Sequence, residues 1–143
     1  MKKLKFLSYL MAALLLVTSV SCDDDDDDDA SPNNTSLLTA STWKGDKLYY
    51  QGVDVTEDFS PILDVKATTI KFNANGTYTI TADGTSDTGT WEFTNNETQV
   101  LMDEGTDDEL LIDVNRLTAT ELWAEGDFAG SGGTETFELR FVH

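Results

Sequence analysis

Nucleophilic catalysis needs a general base beside its nucleophile. This chain of 143 residues carries one His, His143 at its last position, and one Cys, Cys22. Ser-His-Asp and Cys-His chemistry are therefore not expected. One His with one Cys cannot build a His/Cys-rich zinc site, and a single Cys cannot close an internal disulfide. Carboxylates are what the chain has in quantity, 27 Asp and Glu against nine Lys and Arg, for a formal charge of −18. Paired carboxylates can cleave glycosidic bonds, but acids scattered this densely make chance pairs unavoidable, and no pair stands out. The cluster Asp103-Glu104-Gly105-Thr106-Asp107-Asp108-Glu109 lacks the alternating spacing of a calcium loop and reads as a solvated, self-repelling turn. Gly130-Ser131-Gly132-Gly133 has no Lys after it and reads as a turn, not a phosphate cradle. The expectation is a protein that is not an enzyme, with no catalytic residue, no metal and no cofactor. So acidic a surface also argues against nucleic acid as a partner, because phosphate contacts need basic groups.

The elements that would carry any other function begin after a leader. Lys2, Lys3 and Lys5 precede an apolar stretch, Phe6 to Val20, which is short for a membrane span. Small residues Ser19 and Ser21 then lead to Cys22. This order is that of a secretory signal peptide, residues 1–21. With Cys22 at its end, the segment resembles the lipobox of bacterial lipoproteins. That resemblance implies diacylation of the thiol, with palmitate-like chains, and a new N-terminus at Cys22. More than one chain suffices for stable anchoring, since each buried CH₂ contributes about 0.8 kcal/mol. The membrane is thus the first expected partner.

Residues 22–36 read as a tether. Asp23, Asp24, Asp25, Asp26, Asp27, Asp28 and Asp29 repel one another and do not fold. The bland reading is a spacer that holds a domain off an anionic membrane. The sharper one is a resemblance to the surface-export signal of bacteroidete lipoproteins, which implies an outer-membrane lipoprotein exposed at the cell surface. The periplasmic face is the alternative.

Residues 37–143 are long enough for one modest core. Turn signals at Asn75-Gly76, Asp83-Gly84, Asn95-Asn96, Glu104-Gly105, Asn115 and the Gly130–Gly133 cluster recur mostly at 8–12 residue intervals, the rhythm of an all-β sandwich or barrel. Between them apolar and polar residues alternate, most cleanly in Phe137, Leu139 and Phe141 against Thr136, Glu138 and Arg140. Eight strands are expected, near 42–50, 67–73, 76–82, 87–94, 98–103, 109–114, 117–125 and 134–142. Gly45 is placed to mark a bulge in the first strand. Leu122 and Trp123 cannot both face inward, nor can Tyr49 and Tyr50. The connection 51–66 has room for a turn of helix after Ser60-Pro61.

The segments LLTASTWK (37–44), FNANGTY (72–78), Gly89-Thr90-Trp91 and LTATEL (117–122), taken in order, resemble the lipocalin-like domain of bacteroidete lipoproteins. The resemblance implies an eight-stranded antiparallel up-and-down barrel, closed at its edges, with the 51–66 connection as a lid. It also implies an Arg over the opening Trp, which would be Arg140 on Trp43. Such a barrel either fills its interior with side chains or holds one small ligand. The ligand-holding expectation places a small apolar or amphipathic molecule against Trp43, Phe72, Tyr78, Trp91, Phe93, Met102, Phe137 and Phe141. Its alternatives are a filled core serving structure or protein interaction, with partners unknown, and a glycan-binding accessory using the outward rings of the Tyr49-Tyr50 and Leu122-Trp123 pairs.

Overall fold

A computed structural model describes residues 33–130 and 132–143. The signal-peptide, Cys22 and poly-Asp readings lie outside the described residues. Asn34–His143 form one compact unit.

The unit is an all-β barrel with two helical turns and one 3₁₀ turn. A short helix, α1 (Asn34–Thr39), leads into β1 (Thr42–Tyr50), and a two-residue strand, β2 (Val53–Asp54), follows. Next come α2 (Thr56–Phe59), a 3₁₀ turn (Val65–Ala67), β3 (Thr69–Phe72), β4 (Thr77–Ala82) and β5 (Thr85–Thr94). The chain ends with β6 (Gln99–Met102), β7 (Leu110–Leu117), β8 (Glu121–Gly130) and β9 (Gly133–Val142). Each strand from β3 onward pairs antiparallel with the next, and β1 pairs with both β3 and β9. Eight strands therefore close into a cylinder, and β2 is an extra strand on β1. Closure removes the free edges that an open sheet would present.

Local chemistry explains the register. The β4–β5 turn is Asp83-Gly84, with φ of 50° and 78°. Both central residues are left-handed, as a two-residue hairpin requires, and Gly84 takes that conformation without steric cost. In β1 the ladder to β9 slips between Gly45 and Lys47, the expected bulge. It moves the inward set from Trp43 and Gly45 to Leu48. A Cβ on Gly45 would lie 1.9 Å from the Val65 carbonyl oxygen. Glycine is therefore required where the 3₁₀ turn crosses the wall, and Gly45 N–H donates to the Thr68 carbonyl at 2.9 Å.

A second slip, between Val114 and Arg116, lets Leu122 face inward while Trp123 faces out. The helical turn comes before Ser60-Pro61, not after it. Asp54 Oδ1 accepts from Thr56 N–H at its start, and Pro61 follows its end, where the helix stops. Helix α1 begins inside the stretch expected to be tether, so Asn34, Thr35 and Ser36 belong to the folded unit.

The base of the barrel is plugged. Leu38 of α1 and Trp43 of β1 are completely buried, and Trp43 Nε1 donates to the Leu38 carbonyl at 2.9 Å. Lys71 Nζ donates to the Thr39 carbonyl at 2.7 Å and ties the helix end to β3. A ring cluster continues the plug. Phe72 lies 5.5 Å from Trp91 and 6.3 Å from Tyr78, and Trp91 lies 5.4 Å edge-on to Phe93. Among the described residues no buried side-chain polar atom lacks a hydrogen-bond partner.

Candidate functional site

Above the aromatic base the interior is not filled by side chains. A cavity of about 850 Å³ runs up the barrel, inside the range of sites for small organic molecules. Leu38, Phe72, Leu122 and Phe141 line its lower part, and Ile70, Val100, Met102, Ile112, Val114 and Leu139 form the wall. These are the inward positions of the period-two pattern, where branched aliphatic chains pack against one another along the strands. Two small residues of β8, Ala124 and Gly126, leave room on one side.

The far end is built differently. Phe59, Ile62 and Leu63 of the connection after β1 line it together with Phe128, Ala129, Gly132, Glu135 and Phe137 of the β8–β9 hairpin. Phe137 is the centre of the rings here, 5.1 Å from Tyr50, 5.3 Å from Phe59 and 6.3 Å from Phe128. Ile62 is 80% exposed while it also borders the cavity, so it marks the rim where the interior meets solvent. Among the described residues the polar lining side chains are Thr68 and Glu135. Thr68 Oγ1 already donates to the Asp64 carbonyl at 2.9 Å.

The cavity opens at the rim beside the exposed Ile62, so water enters it unless a ligand does. Water against these walls finds few hydrogen-bond partners, so an apolar molecule that displaces it gains free energy from every methylene it buries.

Comparison with known protein families finds no matching family, and no curated protein is significantly similar to the chain. The site therefore rests on its geometry alone.

Of the eight residues expected to hold a ligand, Phe72, Met102, Phe137 and Phe141 line the cavity. Trp43, Tyr78, Trp91 and Phe93 do not. They are spent on the base and on one another, because large rings pack most completely at the plugged end. Trp91 Nε1 is engaged with the Asn73 carbonyl at 2.9 Å. Tyr78 OH donates to Asp103 Oδ2 at 2.5 Å, and burial, then the Asp103 carboxylate, push its phenol above its ordinary pKa. Asp103 also accepts from Thr90 N–H, so the first residue of the acidic loop is a tie between strands. Among the described residues no group of His, Cys, Asp and Glu is arranged to hold a metal ion.

The expected Arg140–Trp43 contact does not form. Arg140 lies outside the barrel, between Tyr49 at 4.0 Å and Trp123 at 3.8 Å, and its Nε donates to Glu138 at 2.8 Å. Residue parity decides this: Arg140 alternates with the inward Leu139 and Phe141, whereas Trp43 points in. His143 instead sets its ring edge-on to Trp43 at 4.5 Å. Arg116 also stands 5.2 Å from Trp123, so cations already cover the two outer rings considered as sugar platforms.

The lining residues that sequence reasoning passed over are mostly aliphatic. Their signal was present in the alternation, since Ile70, Val100, Ile112, Leu122 and Leu139 share the inward parity. Glu135 shared it too, two residues before Phe137. Leu38, Phe59, Ile62 and Leu63 come from outside the barrel strands and carried no such signal.

Proposed function

We propose that this protein is a non-catalytic binding module, lipocalin-like in design, that holds a small apolar or amphipathic molecule inside its barrel. The cavity of about 850 Å³, walled almost wholly by hydrocarbon, carries the reading. Binding needs no chemistry from the wall. Each methylene moved from water into it gains about 0.8 kcal/mol, and the ring cluster at the rim gives an amphipathic molecule an end to rest against.

In the same reading the domain is tethered to the outer membrane through lipid on Cys22, and the seven Asp residues after it favour the cell surface over the periplasmic face. The basic start, the apolar stretch and the position of Cys22 support the anchor. The cavity lining favours capture over a filled structural core, and the covered faces of Tyr49 and Trp123 weigh against glycan stacking.

Native mass spectrometry of the protein purified from its own host tests the proposal. A retained small molecule that dissociates on unfolding is the expected result. Recovery of the bare polypeptide, together with no uptake of a neutral apolar fluorophore such as N-phenyl-1-naphthylamine, would overturn it.

A further inference from the structure

The charges around the cavity are one-sided. Six basic residues lie in the folded unit, and none lines the interior. Four are held on the outside by carboxylates: Lys47 by Asp54 at 3.6 Å, Lys66 by Glu57 at 2.6 Å, Arg116 by Glu121 at 2.7 Å and Arg140 by Glu138 at 2.8 Å. Lys71 is bound to the Thr39 carbonyl at the plugged base, and Lys44 is exposed. Among the described residues the one charged side chain on the lining is Glu135. It stands opposite Phe128 in the β8–β9 register and at the inward parity of Phe137, so it sits beside the rim rings.

An anionic head group entering this mouth meets a carboxylate, no lysine or arginine among the described residues, and a strongly acidic protein around it. A cationic head group meets the reverse: a carboxylate counter-charge and the rings of Phe59, Phe128 and Phe137, whose quadrupoles attract cations over their faces. We infer that the barrel selects single-tailed amphiphiles with an ammonium head, its tail in the aliphatic interior and its charge between Glu135 and the rim aromatics, and that it discriminates against fatty-acid anions. The inference rests on the capture reading above and adds the head-group class.

Three ligands with the same tail test it on the full chain, below their micelle concentrations and at neutral pH: dodecyltrimethylammonium, 1-dodecanol and dodecanoate. Each is titrated against N-phenyl-1-naphthylamine held in the barrel. The ammonium is expected to displace the fluorophore about tenfold more tightly than the alcohol, and dodecanoate more weakly than either. In Glu135→Gln the advantage of the ammonium over the alcohol should shrink, and dodecanoate should gain relative to the alcohol. Equal affinities across the series, or dodecanoate tightest, overturn the head-group inference and leave capture standing. If the fluorophore never enters and no tail binds, capture and head-group preference fall together.

Discussion

Ala124 offers the sharpest test that the cavity is the binding site. It sits mid-wall on β8, opposite Val114 on one side and Leu139 on the other, and its side chain points into the interior. Ala124→Phe would push a ring into that space. Such a ring occupies about the share of three or four water molecules, at ~30 Å³ each, on the order of 100 Å³ out of about 850 Å³. A ligand long enough to fill the barrel would lose burial of three or four methylenes. At ~0.8 kcal/mol each that is about 3 kcal/mol, or roughly a 100-fold rise in Kd. The effect on folding has the opposite sign. Filling space returns at most ~2 kcal/mol by the ~24 cal/mol per Å³ measure, and less where solvent already occupied it. The substitution should therefore weaken binding while leaving the urea midpoint unchanged or raised. Titration with N-phenyl-1-naphthylamine and a 1-dodecanol competitor reads the first effect, and urea unfolding followed by circular dichroism reads the second. A variant that binds as before but unfolds at lower urea would show that the ring went elsewhere, and the cavity would lose its claim.

The outer stack and the inner plug should be energetically independent. Arg140→Gln should cost about 1–2 kcal/mol through its two rings and Glu138, and combining it with Trp43→Phe should be additive within ~0.5 kcal/mol; coupling above that in urea unfolding would restore the contact the structure denies. Thr56→Val removes both the acceptor for Leu48 N–H at 2.9 Å and the donor to Asp54 at 2.6 Å, so a loss of about 1–3 kcal/mol is expected, and a neutral effect would contradict the role given to this buried hydroxyl. Asp54 gives a pH signature: hydrogen bonds from Thr56, with Lys47 nearby, hold its carboxyl below the ordinary 3.8. The native state then binds fewer protons than the unfolded one, so this stabilisation is full above 3.8 and is lost as pH falls through the lower native value. Asp54→Asn should flatten that part of the acid limb in urea midpoints measured from pH 5 to 2, and an unchanged slope would refute the assignment. Gly45→Ala should destabilise by about 2 kcal/mol or more, because its methyl meets the Val65 carbonyl, and a near-neutral midpoint would mean that the 3₁₀ turn yields easily.

Much of this architecture was legible in the residues, for reasons specific to each element. The turn pairs Asn75-Gly76 and Asp83-Gly84 mark hairpins because Gly76, Asp83 and Gly84 take a positive φ that few residues accept. The alternation of Phe137, Leu139 and Phe141 with Thr136, Glu138 and Arg140 fixes which face turns inward, since a strand has a period of two. Gly45 marked its bulge, because the inward parity of β1 changes after it. Less legible were the positions set by slips and by distant partners. Whether Leu122 or Trp123 faces in depends on a bulge near Asn115 in the neighbouring strand, and Arg140 finds Tyr49 and Trp123 across two other strands. Helix α1 has only six residues, too few for a hydrophobic period, and exists because its Leu38 plugs the barrel.

The sequence by itself determined that this unit is a β-sheet of short antiparallel strands with one apolar face, because φ preferences and side-chain alternation act within a few residues. It determined the acidity as well, 27 Asp and Glu against nine Lys and Arg. Only the tertiary structure decided that the apolar faces curl around a space instead of meeting. That outcome depends on barrel closure between β1 and β9, on Leu38 and Trp43 stopping one end, and on Ala124 and Gly126 standing where larger residues would have met across the axis. Volume is a property of all strands together, so the cavity and the Glu135 carboxylate at its rim appear only once the cylinder has formed.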